Sequence, residues 1–204
     1  MYLYGASGHA KVIIDILEAN NINIEGLYDD NPNIKELSGY RVLGSLEGKS
    51  TPGSPFIISI GNNVLRKNIA EKYSLIFTEA IHPSAVISKR VSIDEGTVVM
   101  GNATVNTGCI VGKHVILNTS CTVDHDCELD DYVHISPNAC LNGGVIVGEG
   151  THIGSGVSIT PNIKIGKWTT IGAGAVIIRD VPDHAVVVGN PGRILRIGGN
   201  KEST

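Results

Sequence analysis

The segment Asp124-His125-Asp126 places one imidazole between two carboxylates, and a glycine pair, Gly143-Gly144, begins eighteen residues after the histidine. An imidazole with a pKa of about 6.5 is mostly neutral at pH 7 yet basic enough to accept a proton. A glycine leaves an open notch and a bare N–H, suited to hold an oxygen that gains negative charge. The two would act together if the chain rose one turn in eighteen residues, because stacked strands lie about 4.8 Å apart. Far upstream, Gly5-Ala6-Ser7-Gly8 precedes His9, and Asp29-Asp30 follows. A glycine turn lets the N–H groups at a helix start approach a diphosphate, and a carboxylate ending the next strand can bond a nucleoside hydroxyl or base. The same Gly-x-x-Gly serves equally well as a plain strand-to-helix turn. The full Gly-x-Gly-x-x-Gly fingerprint is missing, which argues against a dinucleotide cofactor.

The eighteen-residue rise comes from a repeat. Every sixth residue from Ile81 to Ile177 is Ile, Val or Leu, without one slip of register. Four residues after each aliphatic stands a small or β-branched side chain, as at Ala85, Thr97, Cys109, Cys121 and Cys127. Three residues after it, eleven of seventeen positions are Gly, Asn or Asp, residues that tolerate φ > 0 and mark a corner. Each hexad therefore reads as a short strand with two inward side chains and a tight bend. Three hexads close a triangle, and the triangles stack. His125, two residues past Val123, falls at a corner with its side chain outward, directly beneath Gly143.

Before residue 80 the rhythm changes. Tyr2–Tyr4 reads as a strand, Gly5–Gly8 as a turn, and His9–Ala19 as a helix whose apolar stripe is Val12, Ile13, Ile16 and Leu17. Glu25–Tyr28 and Phe56–Ile60 read as further strands and Val64–Lys72 as a second helix, with Asn31–Pro55 wrapping the surface. That order makes a small Rossmann-like unit. The expected division is residues 1–80 for nucleotide binding and 81–204 for the stacked repeats and a C-terminal tail.

Composition narrows the field. A net charge of −4 and a pI near 5.9 give no reason to expect nucleic acid or an anionic membrane as a partner. No apolar run approaches the ~20 residues of a membrane span, and no basic leader precedes the first strand, so the protein reads as cytoplasmic. Cys109, Cys121 and Cys127 occupy inward positions and Cys140 lies next to one, as core thiols would.

The hexad resembles the hexapeptide-repeat, left-handed parallel β-helix, whose members are generally trimers packed side by side. The combination of Tyr4-Gly5-Ala6-Ser7-Gly8-His9, Asp29-Asp30, Ile60-Gly61-Asn62-Asn63 with Arg66, and Leu117-Asn118-Thr119-Ser120 to Val123-Asp124-His125-Asp126-Cys127 is similar to the PglD/NeuD group. These are acetyl-CoA-dependent acetyltransferases acting on nucleotide-linked amino sugars or on sialic acid. The likeness is nearest to the enzymes that N-acetylate UDP-linked 4-amino-4,6-dideoxy sugars on the way to bacillosamine, and it runs from residue 1 to about residue 196.

That resemblance implies a homotrimer with interfacial active sites, acetyl-CoA as co-substrate and no metal. It makes His125 the general base that deprotonates the C4 amine. The orienting carboxylate is Asp126, one methylene shorter than the family's glutamate, or its rival Asp124; Asn118 is a weaker candidate for holding the imidazole. Ser7, Gly8, His9, Asp29, Asp30, Gly61 and Arg66 would bind the nucleotide sugar. His134 would bond the thioester end of acetyl-CoA, with Gly143, Ser155, Ala173 and Arg193 along the coenzyme. The stacking of His134 on His152 fits surface decoration as well as function, and Trp168 fits an adenine platform or a filler of the trimer groove. Alternatives are O-acetylation of sialic acid, a GDP- or dTDP-linked acceptor, a non-catalytic nucleotide-sugar sensor, and a γ-type carbonic anhydrase with zinc held by three histidines.

Overall fold

The computed structural model describes residues 1–49 and 53–198; residues 50–52 of the predicted surface wrap and 199–204 of the tail lie outside it. Three short parallel strands, β1 (Tyr2–Tyr4), β2 (Gly26–Tyr28) and β5 (Phe56–Ile58), form a sheet in the order β2-β1-β5. Between β2 and β5 the expected wrap carries a hairpin of its own, β3 (Glu36–Leu37) and β4 (Tyr40–Arg41). Val42 and Leu46 of this stretch are buried, because the chain returns along β2 to extend its edge.

Helix α1 (Gly8–Ala19) covers one sheet face. Its stripe is rotated from the expected one: Ile14 is buried and Val12 is exposed. The stripe meets two surfaces, the sheet and then Ala80, Val98, Met100 and Ile116 of the repeats. Helix α2 (Asn63–Lys72) covers the opposite face, packing Ile69 and Ala70 against the cluster of Tyr4, Tyr28, Phe56 and Ile58. Asn62 caps α2 by accepting the Leu65 N–H at 3.0 Å.

From Ala80 to Ile177 the chain forms seventeen two-residue strands on three parallel sheets. The result is a left-handed parallel β-helix of about six turns. The first face ends its strands at Ile81, Val99, Leu117, Ile135, Ile153 and Ile171, the second at Ile87 through Ile177, and the third at Ile93 through Ile165. Strand partners are eighteen residues apart, as in Leu117↔Ile135 and Val123↔Leu141. The aliphatics, together with Cys109, Cys121 and Cys127, fill a single core, and all four cysteines are free thiols. Polar residues at inward positions satisfy themselves: Thr97 Oγ1 donates to the Gly112 carbonyl and accepts the Val115 N–H. The last strands, Ala185–Val188 and Arg193–Ile197, pair antiparallel and add to the first face.

The N-terminal unit sits on the first face, and α2 reaches the edge between the third and first faces. A column of outward rings on that edge packs against it. His114 stacks on Tyr132 with centroids 5.3 Å apart and meets Phe77 edge-on at 4.5 Å. Lys67 lies over the rings of Tyr132 and Trp168 and pairs with Glu149. Trp168 therefore belongs to the seam between the two units.

Candidate active site

His125 and Asp126 form the corner between the second and third faces. Asp126 adopts φ +59, which a corner demands of any residue there. This turn carries its carboxylate back to the ring, and Oδ2 lies 2.8 Å from His125 Nδ1. Asp124 is occupied otherwise: its Oδ1 accepts the His125 N–H at 2.8 Å and the Asn106 side chain at 2.8 Å. One carboxylate thus fixes the backbone of the corner and the other fixes the imidazole. Asn106, absent from the sequence reading, stands eighteen residues before Asp124, a spacing that could have found it.

Asp126 chiefly, and Asp124 next, raise the pKa of His125 above its ordinary value. A ring whose Nδ1 faces a carboxylate carries its hydrogen there and presents Nε2 as the basic nitrogen. The notch expected at Gly143 is filled by the ring itself. A Cβ on Gly143 would fall 2.6 Å from Nε2, so only glycine lets the imidazole lie over that coil. The Gly143 N–H donates to no group among the described residues. Asp124, His125, Asp126, Gly143, Pro161 and Asn162 line a cleft of about 230 Å³ here.

The other predicted residues gather elsewhere. The N–H groups of Ser7, Gly8 and His9 find no acceptor within the described chain, which leaves the start of α1 open to an anion. Both aspartates after β2 are engaged inside their own unit. Asp29 accepts the N–H of Ala6 at 2.6 Å and of Asn31 at 2.8 Å, so it shapes the glycine turn. Asp30 accepts from the Tyr4 hydroxyl and from Ser45 Oγ.

Arg66 is not a ligand-binding side chain. It is 1% exposed, and its N–H groups serve the carbonyls of His114, Tyr132, Ile60 and Gly61 and the side chain of Asn63. Nothing is left to bond a phosphate. Asn118 does not hold His125 within one chain either, since it lies on the edge between the first and second faces. Its Oδ1 accepts the Thr119 N–H, which fixes the amide, and its Nδ2 meets His134 Nε2 at 3.1 Å.

His134 and His152 point outward from the first face but are covered by the N-terminal unit. Their rings stack at 4.9 Å, and His9 lies 6.4 Å from His134. Burial first, then the charges of its neighbours, pulls His134 down to about 3. Burial likewise brings His9 and His114 to about 4, with Arg66 adding to the effect. Decoration is therefore the wrong reading of this pair. With Nδ1 near the Gly61 carbonyl at 3.4 Å and Nε2 against Asn118, His134 has no N–H left for a thioester in this arrangement. His114 and His152 are likewise committed to the seam, which removes the exposed triad that a γ-type carbonic anhydrase needs. Ser155 and Ala173 are exposed on the first–second edge, and Arg193 is exposed on the terminal hairpin beside a cavity lined by Ile178, Asp180 and Val187.

Known proteins share both units. Residues 1–73 match the PglD N-terminal domain and residues 144–179 the bacterial transferase hexapeptide (six repeats). The GDP-perosamine N-acetyltransferase of Escherichia coli O157:H7 is 30% identical over 92% of this chain and 81% of its own length. The UDP-N-acetylbacillosamine N-acetyltransferase of Bacillus subtilis (strain 168) is 38% identical over 48% of this chain and 50% of its own. The solved structure of PerB from Caulobacter crescentus, in complex with CoA and GDP-perosamine, superposes with a TM-score of 0.88 at 36% identity, covering 95% of both chains. A nucleotide-type turn joined to a hexapeptide β-helix with an exposed His–Asp corner defines a sugar acyltransferase. The chain belongs to the PglD-type sugar acetyltransferases of the hexapeptide transferase superfamily. It is an acetyl-CoA-dependent N-acetyltransferase. Among the described residues no helix is long and apolar enough to cross a membrane.

Proposed function

We propose that the acceptor is a nucleoside-diphosphate-linked 4-amino-4,6-dideoxy sugar, acetylated at its C4 amine with His125 as general base. The observation that carries the reading is the exposed imidazole whose Nδ1 is held by Asp126 and whose Nε2 lies over Gly143. The amine nitrogen attacks the thioester carbonyl, and the new C–N bond pushes charge onto the oxygen, for which the Gly143 N–H is a free donor. His125 Nε2 takes the amine proton and returns it to the departing CoA sulfur as the C–S bond breaks, so the base ends the cycle neutral. Asp126 holds the ring and steadies the imidazolium between those transfers.

The open N–H groups of Ser7, Gly8 and His9 would take the diphosphate, with Asp29 shaping their turn. His125 lies on the second–third edge, whereas the Ser7–His9 turn lies over the first face. A site built from both takes His125 from one protomer and the acceptor turn from its neighbour, which favours a trimer of side-by-side β-helices with coenzyme along the Ser155–Ala173 edge. Light scattering on dilute protein should then give about three times the 21.5 kDa chain mass.

The base is the open half of the specificity. The resemblance favours a UDP sugar, while relatives acting on GDP-perosamine favour GDP. A screen of UDP-, GDP- and dTDP-linked 4-amino sugars with acetyl-CoA decides between them. Acetyl transfer to none of the three would sink the acceptor assignment.

A further inference from the structure

We propose that Arg66 is a positioning residue: it pins the Gly61 carbonyl against His134 and so fixes that imidazole in one tautomer, with its hydrogen on Nδ1. Arg66 joins two bodies. Nε and Nη2 donate to the His114 and Tyr132 carbonyls, both 2.8 Å away on successive coils of the β-helix. Nη1 donates to the carbonyls of Ile60 at 3.1 Å and Gly61 at 3.3 Å, in the loop that follows β5. The remaining donor reaches Asn63 Oδ1 at 2.9 Å on α2. No carboxylate is among these partners, although buried charges are ordinarily paired. A guanidinium held this way is a rigid five-donor fork that no other side chain reproduces.

The Gly61 carbonyl is the link to the imidazole. A carbonyl only accepts, so His134 Nδ1, 3.4 Å from it, must be the protonated nitrogen. Nε2 is then a lone pair, which matches the Asn118 amide turned towards it. Both neighbours therefore demand the same tautomer. A proton added at Nε2 would face the Asn118 NH2 group, donor against donor, with Arg66, His9 and His152 as the other titratable or charged groups nearby. The same loop borders the acceptor turn through His9, whose ring approaches His134. Fixing His134 thus fixes how the acceptor unit sits on the β-helix. The effect on turnover rests on the acetyltransferase reading above; the tautomer does not.

Nitrogen-15 NMR of histidine-labelled protein tests it, with the His134 signals assigned by their loss in His134→Gln. Wild-type protein should show His134 with hydrogen on Nδ1 and an unprotonated Nε2, titrating well below the solvent-exposed histidines. In Arg66→Gln, and more mildly in Arg66→Lys, the Nε2–H form should appear and the titration midpoint should climb towards that of a free imidazole. Acceptor KM should rise roughly tenfold, the worth of one hydrogen bond, while acetyl-CoA Kd stays within about twofold. An Nε2–H form in wild type overturns the proposal, and that measurement needs no variant to fold. An unchanged His134 signature in folded Arg66→Gln protein would overturn it too, leaving Arg66 as packing alone. A changed signature without any acetyl transfer in wild type would instead indict the acceptor assignment.

Discussion

The exposed corner and the buried seam both carry imidazoles, and they push them in opposite directions. At the corner, solvent surrounds His125 and two carboxylates flank it, so its affinity for a proton rises. At the seam, His9 of the N-terminal unit meets His114, His134 and His152 of the repeats beside a buried guanidinium, and all four are lowered. One residue type is thus made more basic in one place and kept a neutral hydrogen-bonding or stacking part in the other. Accessibility and the sign of the nearest charge decide which.

The strongest way to break the contrast is to remove the corner imidazole. His125→Ala should lower kcat by roughly 10²–10⁴-fold, the usual worth of a general base, with acetyl-CoA Kd little changed by calorimetry. Exchanging a seam histidine for glutamine should cost far less turnover. If His125→Ala kept near-wild-type activity, the base would have to be sought elsewhere.

Next in size is Gly143→Val. Its Cβ would occupy the space of the imidazole, so the ring must swing off Nε2's position over the coil. We expect loss of kcat of roughly 10²-fold, comparable to losing alignment and one oxyanion donor, together with weaker coenzyme binding. Steady-state kinetics on a variant with unchanged thermal midpoint would separate this from unfolding.

Acid should strike the seam before it strikes the rest. In the unfolded chain these histidines titrate near 6.5, and in the folded protein His9, His114 and His134 titrate at about 4, about 4 and about 3. Between those limits the unfolded state binds protons that the native state refuses. Stability is therefore full above pH 6.5 and falls as the pH drops towards 4. His114, only 3% exposed, should cost at most about 1.4 kcal/mol of stability for each pH unit between 6.5 and about 4. Thermal midpoints measured from pH 7 to 4.5 should slope downward, and less steeply in His114→Phe. A flat profile would mean that the seam admits water or protons freely.

The mildest test sharpens the corner. The base works when neutral, so kcat/KM should fall as pH drops through a midpoint above 6.5, because Asp126 raises it. Asp126→Ala should move that limb down and cost roughly tenfold in kcat, the worth of one hydrogen bond that aligns the ring. An unmoved limb would assign the orienting role to another group.

The β-helix was legible because its signal is periodic: one aliphatic every six residues fixes coil, corner and vertical neighbour together. That was enough to put His125 beside Gly143. The preference for Asp126 over Asp124 was only partly legible: its corner position marks residue 126 for φ > 0, but how that turn swings one carboxylate back to the ring and leaves the other under the His125 N–H shows only in the backbone. The seam was less legible still. His134 and His152 occupy outward positions, and within the repeat outward means wet; the cover comes from residues 9 and 60–67, which share no period with it. The resemblance gave Arg66 to the nucleotide sugar, yet two carbonyls at the third–first corners and three oxygens of residues 60–63 claim its whole fork.

The glycines at the corners carry one more consequence. His114 lies over Gly96, Trp168 over Gly150, Asp126 over Gly108 and His125 over Gly143, each pair eighteen residues apart. A bulky outward residue on one coil is thus admitted by a vacancy on the next, as a key is admitted by its slot. Such a chain cannot move its base up or down the stack by changing one codon: the histidine and its glycine must travel together. Sequence change on these edges should therefore come in matched steps of eighteen, and a designer who wishes to graft a new reactive group onto another corner must first clear the place above or below it.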